Sequence, residues 1–119
     1  MAKIMTVDDS VFERKVISDI IIKAGNSVIE ADSGEKGVEL YAKEKPDVVL
    51  MDLRMPGIGG AEAIKRILAS DPKAKIVVVS IVRDQETMDQ LIKSGAKDYV
   101  KKPVTPDKLT QAVKKALEG

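Results

Sequence analysis

Five short apolar runs, rich in β-branched residues, alternate along this chain with stretches of helical period, and that alternation limits its fold more than any other feature. The runs cover residues 3–7, 27–31, 47–51, 76–79 and 98–100. Roughly 10–15 residues of helical pattern separate each from the next, the spacing of βαβ units, and this predicts parallel strands joined by crossover helices. The third and fourth runs are nearly all apolar, as strands covered on both faces should be. The second is short and mixed, which suits an edge. Five β/α units account for all 119 residues with no linker, low-complexity tract or repeat, so the expectation is one α/β domain over residues 1–119. A chain of this length buries roughly 65% of its unfolded surface, enough for a real core.

Local signals set the helix ends. The first helix starts near Ser10, carries Phe12, Val16, Ile17, Ile20 and Ile21, and stops at Gly25. Ser33 caps the second, which should bury Val38, Tyr41 and Ala42. The third follows Gly59-Gly60, uses Ala61, Ile64, Ile67 and Leu68, and ends before Asp71-Pro72. The fourth opens near Asp84, uses Met88, Leu91 and Ile92, and closes at Gly95. The fifth has the clearest start, with Thr105 as cap, Pro106 at the first helical position and Asp107 in the first turn.

Composition removes whole classes of chemistry. The chain has neither cysteine nor histidine, which excludes disulfides, Cys/His zinc sites, thiol catalysis and Ser-His-Asp catalysis. Any metal must be a hard cation held by carboxylates. Twenty basic residues against nineteen acidic leave a net charge of +1, with no global pull toward nucleic acid or anionic lipid. No run approaches the roughly 18 apolar residues of a membrane span and no signal-peptide pattern opens the chain, so the cytoplasm is the expected location.

The polar residues that end the strands carry the functional signal. Asp8 and Asp9 follow the first strand, Asp52 the third, Ser80 the fourth and Lys102 the fifth. Parallel α/β sheets gather their strand C-termini along one edge, where such folds bind ligands. Taken singly, Asp8-Asp9-Ser10 is helix-cap chemistry, Asp52 before Pro56-Gly57 is turn chemistry, Ser80 is a satisfied hydroxyl and Lys102 a solvated lysine. Their joint placement favours a shared pocket. Two carboxylates about 4 Å apart repel by about 4 kcal/mol at an effective dielectric near 20, a cost that a divalent cation removes. Mg²⁺ is the expected ion, with Asp9 and Asp52 as direct ligands, Asp8 direct or acting through water, and the backbone carbonyl of Arg54 completing the set. An exposed Asp52 carboxylate could attack phosphorus, since carboxylate nucleophiles form aspartyl-phosphates. Lys102, Ser80 and backbone N–H groups would then face the remaining phosphoryl oxygens.

Over essentially its whole length the chain resembles a response-regulator receiver domain of the freestanding, CheY-like kind. The residues that carry the resemblance are Val7-Asp8-Asp9-Ser10, Met51-Asp52-Leu53-Arg54-Met55-Pro56-Gly57, Ser80, Gly95-Ala96-Lys97-Asp98-Tyr99 and Lys102-Pro103. The resemblance implies a (βα)5 flavodoxin-like fold, a five-stranded parallel sheet in order 2-1-3-4-5 with helices on both faces. It implies Asp52 as phosphoacceptor, Asp8 and Asp9 as metal-binding acids, Ser80 as switch hydroxyl, Lys102 as the family's lysine and Tyr99 as switch aromatic. It also implies a cis Lys102–Pro103 bond.

The function so implied is a response regulator of a two-component system. A CheA-like histidine kinase would phosphorylate Asp52, and the face made by the fourth helix, fifth strand and fifth helix would bind an output protein such as a flagellar motor switch or its adaptor. Such a protein catalyses only its own phosphorylation and dephosphorylation, acts as a monomer and binds neither nucleic acid nor membrane. Three positions depart from the pattern. Ile81 replaces a small residue after the switch hydroxyl and should alter phosphotransfer or dephosphorylation rates. Val104 replaces an aromatic after Lys-Pro, and Gly59 replaces an acidic or amide residue, implying a looser loop.

Other readings fit less well. A phosphorelay intermediate, passing its phosphoryl group to a histidine phosphotransfer protein, uses the same residues. A small-molecule phosphatase with a carboxylate nucleophile usually has a second acid two residues on, where this chain has Arg54. Nucleotide binding would need a Gly-rich loop after the first strand, where Asp8-Asp9-Ser10-Val11 stands instead.

Overall fold

The computed structural model describes residues 1–81 and 84–119. Five strands, β1 (Lys3–Val7), β2 (Ser27–Ala31), β3 (Val48–Met51), β4 (Ile76–Ser80) and β5 (Asp98–Lys101), alternate with five helices. The helices are α1 (Val11–Lys23), α2 (Gly34–Glu44), α3 (Gly59–Ser70), α4 (Gln85–Ser94) and α5 (Pro106–Glu118). The strands form one parallel sheet in the order β2-β1-β3-β4-β5. This is the expected fold. Among the described residues, no helix is long and apolar enough to cross a membrane.

Strand pleating sorts the core into two layers, because successive side chains point to opposite faces of the sheet. Ile4, Val48, Leu50, Val77 and Val79 pack with Ile17 and Ile21 of α1 and with Leu109, Ala112, Val113 and Ala116 of α5. Met5, Val7, Val49, Met51, Ile76 and Val78 pack on the other side, with Tyr41 of α2, Ala63, Ile64 and Ile67 of α3, and Leu91 of α4. Strands β3 and β4 are buried at every position, whereas β2, at the edge, is buried only at Ala31.

The caps hold the helices to their predicted starts. Ser10, Ser33 and Thr105 accept hydrogen bonds from the backbone N–H groups of Glu13, Lys36 and Lys108, and Asp84 accepts from that of Glu86. Helix α3 begins two residues earlier than the sequence suggested, with Gly59 and Gly60 inside its first turn.

Some apolar residues expected to face the core do not. Phe12 is 76% exposed, because it lies about 140° around α1 from Ile17. Ala42, Ala61 and Ile92 are likewise exposed. Their helices bury the neighbouring positions Tyr41, Ile64 and Leu91.

Candidate functional site

The C-terminal ends of β1, β3, β4 and β5 converge, because a parallel sheet brings them to one edge and its register aligns them. Val7 pairs with Met51, which places Asp8 and Asp52 side by side. Met51 pairs with Val78, and Ser80 at the end of β4 pairs with Lys101. The backbone confirms the alignment: the Asp52 N–H donates to the Val7 carbonyl at 3.0 Å, and the Lys102 N–H to the Ser80 carbonyl at 2.9 Å. The Lys102–Pro103 bond is cis.

Among the described residues, Asp8, Asp9 and Asp52 present carboxylate oxygens within 4.8 Å of one another. Asp8 and Asp52 are buried, while Asp9 is exposed and opens the cluster to solvent. Local bonds orient the acids. The Ser10 N–H donates to Asp8 Oδ1 at 2.9 Å, and the Arg54 N–H reaches Asp52 Oδ1 at 3.4 Å. The Lys102 ammonium donates to Asp8 Oδ2 at 2.8 Å and to Asp52 Oδ2 at 3.4 Å.

Charge is what makes this pocket unusual. Burial is the largest influence on Asp52 and raises its pKa; the negative charge of Asp8 adds to the rise, while Lys102 and the Arg54 N–H oppose it without reversing it. Burial alone would lower the pKa of Lys102, but its bonds to Asp8 and Glu13 and the charge of Asp52 outweigh that, and the net shift is upward. The lysine is therefore held as a cation. Among the described residues one ammonium, that of Lys102, bridges Asp8 and Asp52, and three carboxylates converge, which leaves net negative charge and an all-oxygen donor set. Both properties fit a hard divalent cation.

The other expected residues lie around this centre. Ser80 is buried at the end of β4, and Ile81 beside it is 53% exposed. Tyr99 is half-buried on β5, packed against the core beneath α2, α3 and α4, and it also borders a surface hollow with Lys101, Lys108 and Lys115. Val104 is half-buried and shares a cleft of about 150 Å³ with Phe12, Glu13, Lys102 and Pro103.

Gly59 has a φ of +75°, a backbone conformation that suits glycine. The Gly60 N–H donates to the Leu53 carbonyl at 3.1 Å, which ties the start of α3 to the end of β3. Gly60 lies so close to the strand end that a Cβ there would overlap the Asp52 carbonyl oxygen.

Two residues at the site were not anticipated. Arg14 Nη1 donates to the Asp8 backbone carbonyl at 2.7 Å while its Nε pairs with Glu30 at 2.8 Å. Glu13 Oε1 lies 3.1 Å from Lys102 Nζ. The signal for Glu13 was present as Ser10-x-x-Glu13, but that spacing is also a helix capping box and gives no reason to look toward Lys102.

Comparison with known proteins agrees with this geometry. A family model described as response regulator receiver domain matches residues 4–114. The chain is 44% identical to chemotaxis protein CheY of Thermotoga maritima over 114 residues, covering 95% of each chain. It is 39% identical to CheY of Bacillus subtilis over 116 residues, covering 97% of each. Its fold superposes on a receiver domain from Clostridium thermocellum with a TM-score of 0.94 at 28% identity, covering 99% of this chain and 95% of that one. The chain belongs to the response-regulator receiver family, whose CheY-like members are signalling proteins of two-component systems and not conventional enzymes.

Proposed function

We propose that residues 1–119 form one receiver domain that acts as a phosphorylation-controlled switch in a chemotaxis-type two-component pathway. The observation that carries this reading is the cluster of Asp8, Asp9 and Asp52 with Lys102 bridging Asp8 and Asp52. In this reading Asp52 is the phosphoacceptor, and a histidine kinase is the donor. The Asp52 Oδ–P bond forms as the donor's P–N bond breaks, and the departing imidazole keeps the electron pair.

Asp8, Asp9, Asp52 and the Arg54 backbone carbonyl would hold Mg²⁺, which when bound supplies charge neutralisation for the phosphoryl oxygens. Lys102 holds a second oxygen through its fixed positive charge, and Ser80 turns its hydroxyl toward a third. Because the Ser80 carbonyl is bonded to the Lys102 N–H, a shift of the β4 end is felt at the lysine as well. Phosphorylation adds roughly −1.5 to −2 charge and three acceptor oxygens. Tyr99 then repacks, and the face of α4, β5 and α5 changes its affinity for an output protein such as a flagellar motor switch or adaptor.

The test is intact-protein mass spectrometry after incubation with a histidine kinase, with and without Mg²⁺. Mg²⁺-dependent modification of the wild type and none of Asp52→Asn is expected; equal modification of both would remove the assignment. Capture of an output protein only in the presence of beryllofluoride tests the switch itself. Rapid onward transfer to a histidine phosphotransfer partner without such capture would favour the relay alternative.

A further inference from the structure

The approach of Glu13 to Lys102 is closer than that of the acid the lysine is expected to serve: 3.1 Å to Glu13 Oε1 against 3.4 Å to Asp52 Oδ2. Glu13 is the third residue of α1, where a capping box would turn its carboxylate back to the Ser10 N–H. Asp8 Oδ1 already accepts from that N–H at 2.9 Å, which leaves the Glu13 carboxylate available to Lys102. The Ser10 hydroxyl still accepts from the Glu13 N–H at 3.2 Å, so the cap fixes the Glu13 backbone while its side chain reaches the lysine. The Glu13 side chain is 43% exposed, against 7% for Lys102 and 8% for Asp52. It stands on the solvent side of a buried ammonium that also bonds Asp52.

We propose that Glu13 is a positioning residue for Lys102 whose charge also selects among phosphodonors, disfavouring small dianionic donors relative to those of lower negative charge. The inference rests on Asp52 being the phosphoacceptor. A lysine stem is flexible, and ion pairs to Asp8, just after β1, and to Glu13 on α1 fix where its charge sits beside Asp52. A donor approaching Asp52 meets the Glu13 charge as well, and the Coulomb repulsion scales with the donor's own charge. The repulsion is screened by salt, with a Debye length of about 10 Å at 0.1 M and about 3 Å at 1 M.

Acetyl phosphate and phosphoramidate separate these effects. With the first, the Asp52 Oδ–P bond forms as the P–O bond to acetate breaks, acetate leaves with the electron pair, and no proton moves. With the second, supplied as the zwitterionic monoanion, the P–N bond breaks and ammonia leaves with the protons already on nitrogen.

The experiment follows modification of the full chain by each donor in excess Mg²⁺ for wild type, Glu13→Gln, Glu13→Ala and Asp52→Asn. Glu13→Gln keeps an oxygen for Lys102 and loses the charge. It should raise the acetyl phosphate rate about three- to tenfold and the phosphoramidate rate by about the square root of that factor, with both gains collapsing in 1 M salt. Glu13→Ala loses the anchor too and should gain less than Glu13→Gln with both donors. An unchanged donor ratio in Glu13→Gln, or a changed ratio that persists in high salt, overturns the selection by charge. Equal rates for Glu13→Ala and Glu13→Gln overturn the positioning. Should Asp52→Asn be modified as fast as wild type, the phosphoacceptor assignment falls and this inference with it.

Discussion

Tyr41 donates its hydroxyl to Asp71 Oδ2 at 2.7 Å, tying α2 to the residue that caps the C-terminus of α3. Burial and the Asp71 charge push the Tyr41 pKa well up, and the same bond, with that from the Lys73 N–H, holds Asp71 below the ordinary carboxylate value of 3.8. The signs are opposite. Stability from Asp71 is present above its unfolded pKa and is lost as pH falls through its lower folded value. Stability from Tyr41 is present below 10.0 and declines as pH rises beyond it, since only the unfolded tyrosine ionises there. Tyr41→Phe should therefore lower the urea midpoint most between these limits, with the gap to wild type narrowing in acid and in alkali; a pH-independent gap would show that the bond does not matter. A second expected outcome concerns Ser80→Ala, which should still be phosphorylated on Asp52 yet lose roughly tenfold or more of its phosphorylation-dependent gain in partner affinity, the size of one hydrogen bond to a charged group. Titration of an output partner with phosphorylated wild type and variant measures it. The acids, Ser80 and Lys102 were legible in the sequence because topology alone gathers the ends of parallel strands. Glu13 was not, since its spacing from Ser10 already had a local explanation, and Tyr41–Asp71 was not, since no periodicity links residues on successive helices.

Helix α3 shows how an element positions the site from behind. Its first turn runs against the end of β3, and only the missing side chain of Gly60 allows the backbones to approach that closely. Gly60→Ala would push a methyl group into the Asp52 carbonyl and must displace either the helix or the strand end. Overpacking of this kind costs about 1–3 kcal/mol, and a shift of the strand end carries Asp52 with it, so Mg²⁺ affinity should fall along with the denaturation midpoint. Calorimetric Mg²⁺ titration of the folded variant checks this; unchanged affinity would mean that the loop absorbs the methyl group without moving Asp52. The five strands and the helix caps could be read from the sequence because Ser10, Ser33, Asp84 and Thr105 act through bonds within three residues. The start of α3 could not. Ile58, at its N-cap, makes no side-chain cap bond, and paired glycines ordinarily signal a loop. The same limit applies to Phe12, where an apolar residue at the solvent-facing start of α1 resembles one bound for the core.

The molecule as a whole carries like charge at one edge of its sheet, and that has a thermodynamic consequence. Burial and Asp8 raise the pKa of Asp52 in the folded state, so the folded protein binds that proton more tightly than the unfolded chain does. The sign is therefore opposite to that of a salt-bridged acid: the stability associated with Asp52 is present below its unfolded pKa, near 3.8, and is lost as pH rises through the folded value. Above that range burial of Asp52 costs the fold stability, and Asp52→Asn should raise the melting temperature by a few degrees in the absence of divalent metal, with the gain vanishing in acid. A cation held by Asp8, Asp9 and Asp52, as proposed, would relieve the same repulsion and stabilise the native state by mass action, by about 2.7 kcal/mol at a concentration 100 times the dissociation constant. Saturating Mg²⁺ should thus raise the wild-type melting temperature markedly and that of Asp52→Asn much less, so that the order of stabilities converges or inverts. Melting curves of the two proteins across a Mg²⁺ series measure this directly. A parallel rise in both would place the cation elsewhere, because a site that excludes Asp52 has no means of distinguishing them.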